Sequence, residues 1–382
     1  MTTGALAGTL IVELATRVCG EYCGKLLADF GAEVIKIEPP GGSPTRAMGP
    51  FKDGIAGPER SALFGYLNTN KKSVMLDLSQ AGDRAKLDAL LARANGLIED
   101  SPRTYLKRCG TPDRFPHLVQ CLITPFGEDA PEALQIATSL GVINAGGWAY
   151  HTPSEAAPGL PPLKGAGRFL PDYEAGIDAA LCLAASLFRQ RRTGEGQSID
   201  VSEVEVQINR GDAVMGRMLA GEVEPSAART AFDMGGPGKA FACVDGFLYL
   251  FMTTTAHWKG LCELMREPQW AAQFAEDWLE FGCTAERVAL FRARFSEWAA
   301  PQEKHAISEA GQKLGVAIVP VNSAADLPGN AQLHYRGYFQ TLTHPVLGEA
   351  LYPTVPYRMS ATPIRLATPA PALGQHGGEL LP

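Results

Sequence analysis

The N-terminal part of the chain alternates short β-rich runs with helical patterns, and this alternation restricts the fold more than any other feature. Thr9–Glu13 reads as a strand, about Glu21 to Phe30 as a helix, Val34–Ile37 and Val74–Leu78 as strands, Ala81–Ala94 as a helix, and Gly96–Ile98 and Val119–Ile123 as further strands. Strand and helix in turn imply parallel strands joined by crossover helices, because a parallel pair needs a long connection. The fold class expected is α/β, a doubly wound, Rossmann-like sheet.

Residues 146–171 are crowded with Gly and Pro and predict a long ordered loop, which delivers the chain to Asp172. A helical pattern starts there, with Ile177, Leu181, Ala184, Ala185 and Phe188 on one face, and Thr193-Gly-Glu-Gly196 ends it. Ser198–Val201 reads as a strand, followed by a helix over about Ser202–Leu219. Gly235-Gly-Pro-Gly238 opens a hairpin-like stretch, Ala240–Met252, with its turn at Asp245-Gly246, and Trp-rich amphipathic helical patterns fill 256–313. These shifts divide the chain into residues 1–220 of a large domain, a smaller α+β domain at 225–315, and a segment 316–382 that returns to the large domain.

At 382 residues, with 46% hydrophobic and 20% charged residues, the chain suits two packed globular domains. A net charge of −7 and the absence of any Lys or Arg block exclude nucleic acid and anionic membranes as expected partners. The eight Cys show neither a CxxC pair nor a zinc spacing and read as reduced residues of a cytoplasmic protein. Met1-Thr-Thr-Gly-Ala-Leu-Ala-Gly has no basic n-region, and no long uncharged apolar run follows anywhere, so neither a signal peptide nor a membrane span is predicted.

GxSxG, HExxH, Walker A and EF-hand patterns are missing, and Ala15-Thr-Arg-Val-Cys-Gly20 does not supply the GxGxxG of a dinucleotide site. Metal, NAD and FAD are therefore not expected. Asp172, directly before a helical pattern, is most simply an N-cap. The same place also keeps a carboxylate ionised and available as a nucleophile. Both readings stay open on the residues alone.

Several strings in order resemble the family III CoA-transferases (the CaiB/BaiF family), which include formyl-CoA transferase and crotonobetainyl-CoA:carnitine CoA-transferase. They are Arg17-Val-Cys-Gly20, Leu26-Leu-Ala-Asp-Phe-Gly-Ala-Glu-Val-Ile-Lys-Ile-Glu38, Leu67-Asn-Thr-Asn-Lys-Lys-Ser73, Ile123-Thr-Pro-Phe-Gly127, Asp172-Tyr-Glu-Ala-Gly176, Arg192-Thr-Gly-Glu-Gly-Gln-Ser-Ile-Asp200 and the closing Leu-Gly-Gln-His. The resemblance implies a Rossmann-like large domain, a smaller mixed domain and two subunits interlocked as a homodimer. It implies coenzyme A, carried in as acyl-CoA, and a small carboxylic acid as ligands. Asp172 is then the residue that forms a mixed anhydride and next an aspartyl-CoA thioester. Gly235, Gly236 and Gly238 match the family's glycine-rich loop over the reactive Asp, although a tight turn into the hairpin explains them equally well on sequence.

For CoA the resemblance points to Arg17, Val18 and Cys19, to Leu67, Asn70, Lys71 and Lys72 of the Leu67–Ser73 loop, and to Arg108. Departures from the family pattern fall at Cys19-Gly20-Glu21, Pro39, Asp100-Ser101 and Pro237. Glu21 either faces the active site or serves as a first-turn acid of its helix. Trp148 and His151, in the loop before Asp172, are candidate pocket residues, with packing of that loop as the competing reading. Two alternatives remain: an acyl-CoA isomerase, by intramolecular CoA transfer or racemase-like, and a non-catalytic acyl-CoA-binding homologue. The racemase version needs a second acid/base group, and Glu128–Ile136 contains no His to provide it.

Overall fold

Ile11 and Val12 show how the sequence builds the central layer. Adjacent strand residues point to opposite faces, and both are fully buried, so the strand carrying them must be covered on each side. In the computed structural model, which describes residues 4–101, 104–108, 113–147, 168–210, 219–221 and 236–381, that strand is β1 (Leu10–Glu13). It lies inside a six-stranded parallel sheet with β2 (Glu33–Glu38), β3 (Lys72–Met75), β4 (Gly96–Glu99), β5 (Val119–Thr124) and β6 (Gln197–Ser202), in the order β3-β2-β1-β4-β5-β6. The order reverses between β1 and β4, which opens a crevice beyond the carboxyl ends of those strands.

Two apolar layers sandwich the sheet. Ile11, Ile98, Cys121 and Ile123 face helix α1 (Val18–Asp29) and the long helix Leu170–Thr193, together with Leu27, Ala179, Leu183 and Leu187. Val12, Ile35, Val74 and Leu97 face the opposite layer with Leu87, Leu90 and Leu91 of the helix Ala81–Leu91. Alpha1 and the long helix approach closely at Gly176, where a Cβ would lie 2.7 Å from the Cys19 carbonyl oxygen. Only glycine fits there, and this contact fixes the start of the long helix against the turn after β1.

The chain divides into two compact units, Met1–Thr230 with Gly337–Pro382, and Ala231–Arg336. In the second, β7 (Lys239–Cys243), β8 (Gly246–Phe251) and β9 (Ala317–Val321) form an antiparallel sheet over Trp258, Phe274, Trp278, Phe291 and Phe295. The position of β9 corrects the expected boundary at 316. Ala317–Val321 pairs along β8, Ile318 opposite Leu250, and completes the small sheet before the chain leaves that unit. The hairpin turn also shifts, to Val244-Asp245.

After a hairpin of β10 (Phe339–His344) and β11 (Gly348–Pro353), the Pro-rich tail runs beside edge strand β3. His376 N–H donates to the Ser73 carbonyl at 2.9 Å, and Ser73 N–H donates to His376 Nδ1 at 3.2 Å. The closing Gly-Gln-His thus satisfies an edge that would otherwise present unpaired backbone. No described helix is long and apolar enough to cross a membrane.

Candidate active site

Three chain segments meet beyond the carboxyl ends of the central strands: the turn from β1 into α1, the first turn of the long helix, and the junction of β6 with the helix Glu203–Arg210. The long helix begins earlier than its sequence pattern suggests. Phe169 is the N-cap and Pro171 lies in the opening positions, where its missing N–H has no helical partner to lose. Asp172 therefore sits inside the first turn and is not the cap. The N-cap reading is set aside.

Oδ2 accepts the hydroxyl proton of Ser139, from the helix Ser139–Ala145. Oδ1 has the Arg17 guanidinium at 3.7 Å, beyond hydrogen-bond range. The same Arg17 Nη2 lies 2.7 Å from Glu203 Oε1, so the cation belongs more to Glu203 than to Asp172. The Cys19 thiol and the carboxylate oxygens of Asp172 and Glu203 lie within 4.8 Å of one another. Asp172 is only 3% exposed, and Glu203 is completely buried. Burial pushes the Asp172 carboxyl above its ordinary range, although Arg17 and Ser139 pull it back. Burial, with the Asp172 charge added, raises Glu203 to about 7 against the pull of Arg17.

The turn that carries Arg17 is held by Asp100, which follows β4. Its carboxylate accepts the N–H of Thr16 at 2.8 Å and of Arg17 at 2.7 Å. Burial raises this group to about 6, with the two amides and Arg17 opposing it. Beside it a cavity of about 700 Å³ occupies the switch-point crevice, lined by Thr16, Pro39, Pro40, Asp77, Arg84 and Arg108 among others. That volume suits a cofactor-sized ligand. Glu99 also lines it; burial raises its carboxyl to about 7, while its bond from the Tyr105 N–H at 2.5 Å works the other way.

Of the residues named from sequence, the structure gathers Asp172, Arg17 and Cys19 at one place and sets Arg108 on the neighbouring cavity. Val18 is buried within α1. The Leu67–Ser73 segment leads into β3 and supplies its first two residues, whereas the crevice is lined by Leu76–Leu78 after that strand. There Leu67 is wholly buried, and Asn70 accepts the N–H groups of Ala367 and Thr368 from the tail. Lys72 pairs with Glu33 at 3.0 Å and Glu379 at 2.8 Å. Lys71 is buried, with its ammonium donating to Glu13 at 2.8 Å, the Glu21 carbonyl at 2.7 Å and Asn68 at 2.9 Å. The CoA contact expected of Lys71 is thus corrected: all three of its donors are already taken.

Glu21 lies in the first turn of α1, as one of its two expected readings has it. Its carboxylate is internal, paired with Lys36 at 2.8 Å and accepting from Ser43, Thr45 and Asn68. Burial raises it, but Lys36 and Lys71 outweigh that and hold it below the ordinary range. In the second unit, Gly236 has φ 120° and Gly238 has the Leu250 carbonyl oxygen 2.6 Å from where a Cβ would sit, so backbone geometry accounts for both glycines. Gly235, Trp148 and His151 lie outside the described residues.

Sequence reasoning missed Ser139, Glu203 and the strand-end residues Pro40 and Leu76–Leu78. The last group had a usable signal, since ligands of doubly wound sheets bind beyond the carboxyl ends of the strands. Glu99 carries a pH dependence. With its folded value near 7 and its ordinary value 4.5, it favours folding most below 4.5 and loses that contribution as pH rises through 7. Glu99→Gln is expected to raise the thermal midpoint at pH 8 by an amount equivalent to roughly 1–3 kcal/mol, and to change it little at pH 4, in paired melting curves.

A doubly wound sheet with a cofactor-sized crevice and a carboxylate cluster at its switch point defines an α/β protein built around a ligand site. The chain belongs to CoA-transferase family III, whose profile matches residues 6–377. It is 28% identical to the succinyl-CoA:(R)-benzylsuccinate CoA-transferase subunit BbsE of Thauera aromatica, over 96% of this chain and 91% of that one. It is 29% identical to the succinate–glutarate CoA-transferase of Agrobacterium fabrum, over 98% and 94%. The crystal structure of a CaiB/BaiF family protein from Brucella suis superposes with a TM-score of 0.83 at 25% identity, covering 98% of each chain.

Proposed function

We propose that this chain moves CoA from an acyl-CoA to a free carboxylic acid through a thioester on Asp172. The observation that carries the reading is the unequal treatment of the two Asp172 oxygens by neighbouring side chains: Oδ2 holds the Ser139 hydroxyl, whereas the Arg17 guanidinium stays 3.7 Å from Oδ1, beyond hydrogen-bond range. Oδ1 is the nucleophile. It attacks the thioester carbonyl carbon, the C–S bond breaks, and the thiolate leaves with the electron pair. The thiolate then attacks Asp172 Cγ, and the donor acid departs with the bridging oxygen. The acceptor carboxylate reverses both steps in turn, so no proton is gained or lost across the cycle.

During attack on Cγ the charge develops on Oδ2, the oxygen that Ser139 already meets with a hydroxyl. A donor placed on a developing oxyanion stabilises the transition state more than the ground state. The crevice lined by Arg84 and Arg108 supports a place for the CoA nucleotide, since guanidinium forks suit phosphates. Because Asp172 is buried, the acyl group reaches it only after a neighbouring side chain yields.

The relatives named above act on dicarboxylic acids, and we take that acid class as the first to test. On the resemblance, the working form is an interlocked homodimer in the cytoplasm, and Gly235, Gly236 and Gly238 serve the same reaction. Leu181 and Phe188 of the long helix, 67% and 64% exposed in the single chain, support burial against a second copy. The test is a panel of acyl-CoA donors against free acids, with products read by mass spectrometry. New acyl-CoA formed only when a free acid is present supports transfer. A rearranged acyl-CoA without any acceptor favours the isomerase, and no product from any pair favours a binding protein.

A further inference from the structure

Arg17 stands between two buried carboxylates and is shared unequally, 2.7 Å from Glu203 and 3.7 Å from Asp172, through the same Nη2. An arginine free to choose would form a two-pronged pair with the nearer anion, and a carboxylate held in that way has both oxygens engaged. Such a pair on Asp172 would occupy Oδ1. The structure instead has Glu203 drawing the guanidinium away, from a helix whose opening residue is set by β6 directly before it.

Apart from its pairing with Arg17, Glu203 gains little from being charged. Both of its oxygens are buried without a well-formed hydrogen bond, and the chain bears the cost of burying them. The groups facing it are Arg17 and Cys19 from α1 and Asp172 from the long helix, with Ser139 beyond Asp172 and Asp100 behind Arg17.

We propose that Glu203 is a positioning residue which holds Arg17 off Asp172 Oδ1 and remains as the counter-charge of Arg17 while Asp172 is acylated. The inference rests on the reading of Asp172 as nucleophile. Its chemistry follows from charge balance: once Asp172 becomes an anhydride or thioester it is neutral, and Arg17 needs another anion. Burial and the Asp172 charge together keep Glu203 partly protonated near neutral pH. Loss of the Asp172 charge removes one of those causes, so Glu203 ionises when its charge is needed.

The test compares the rate of the covalent, hydroxylamine-sensitive adduct on the Asp172 peptide, after mixing with succinyl-CoA, in the unmodified protein, Glu203→Gln, Glu203→Ala and the double variant Arg17→Gln/Glu203→Gln. Each Glu203 variant is expected to slow adduct formation by about tenfold or more, and the double variant to recover most of that loss, because the cation that closes on Asp172 is gone. Near-ultraviolet circular dichroism verifies that each variant is folded, and Glu203→Ala substitutes for Glu203→Gln if only one folds. Unchanged adduct rates in the Glu203 variants, or a double variant no faster than Glu203→Gln, overturn the inference while leaving Asp172 as nucleophile. An unmodified protein that forms no adduct removes the Asp172 reading, and the inference with it.

Discussion

Asp172→Asn is expected to reduce CoA transfer by roughly 10⁴-fold or more, the scale of removing a covalent nucleophile. The substitution keeps the shape of the side chain and an oxygen for the Ser139 hydroxyl, yet the amide cannot become the interim acid of an acid-for-acid exchange. Stability should not suffer, because burial already disfavours the charge that is removed. Turnover by chromatography of acyl-CoA products, alongside thermal melting, checks both halves. Substantial activity in this variant, or activity lost together with the fold, contradicts the assignment.

Lys71→Ala is expected to act in the opposite sense, on stability and hardly on CoA binding. Its ammonium lies in a sealed network in which Glu13 meets both Lys36 at 3.0 Å and Lys71 at 2.8 Å, and Lys36 in turn meets Glu21. Removing one partner of a buried pair leaves an uncompensated charge and costs about 3–5 kcal/mol. Urea unfolding measures that loss directly, and the KM for acyl-CoA of the folded fraction should stay near that of the unmodified protein. A phosphate ligand would show the reverse pattern, a raised KM at unchanged stability.

Asp172 and Lys71 show what a sequence can and cannot disclose. Lys71 lies in a string that resembles a CoA-transferase motif, and the string does mark the fold. Its contribution is a buried ion network under α1, because the ammonium is enclosed by Glu13, Asn68 and the Glu21 carbonyl. The alternation of strands and helices was legible, since strands buried on both faces carry apolar residues on both, as Leu97 and Ile98 of β4 do. Asp172 was legible through its motif, although its place in the helix was misjudged because the helix starts at Leu170.

Ser139 and Glu203 were not legible for a different reason. Each sits about thirty residues along the chain from Asp172, with no spacing rule to link them, and they meet only because the long helix, the helix Ser139–Ala145 and β6 converge on one edge. Tertiary proximity of that kind leaves no local pattern. The small-unit boundary failed similarly. Ala-Ile-Val-Pro-Val reads as a strand from its composition, but which sheet it joins depends on the register with β8.

The central claim is that one carboxylate oxygen carries the acyl group and its carbon then carries the CoA. The most direct measurement is peptide mass spectrometry of protein mixed with succinyl-CoA in the absence of acceptor acid, with and without hydroxylamine. A CoA-sized mass increase is expected on the peptide containing Asp172, lost on hydroxylamine treatment and missing from Asp172→Asn. A protein that turns over acyl-CoA with acceptor present, yet shows no such adduct, or shows it on another residue, contradicts the account.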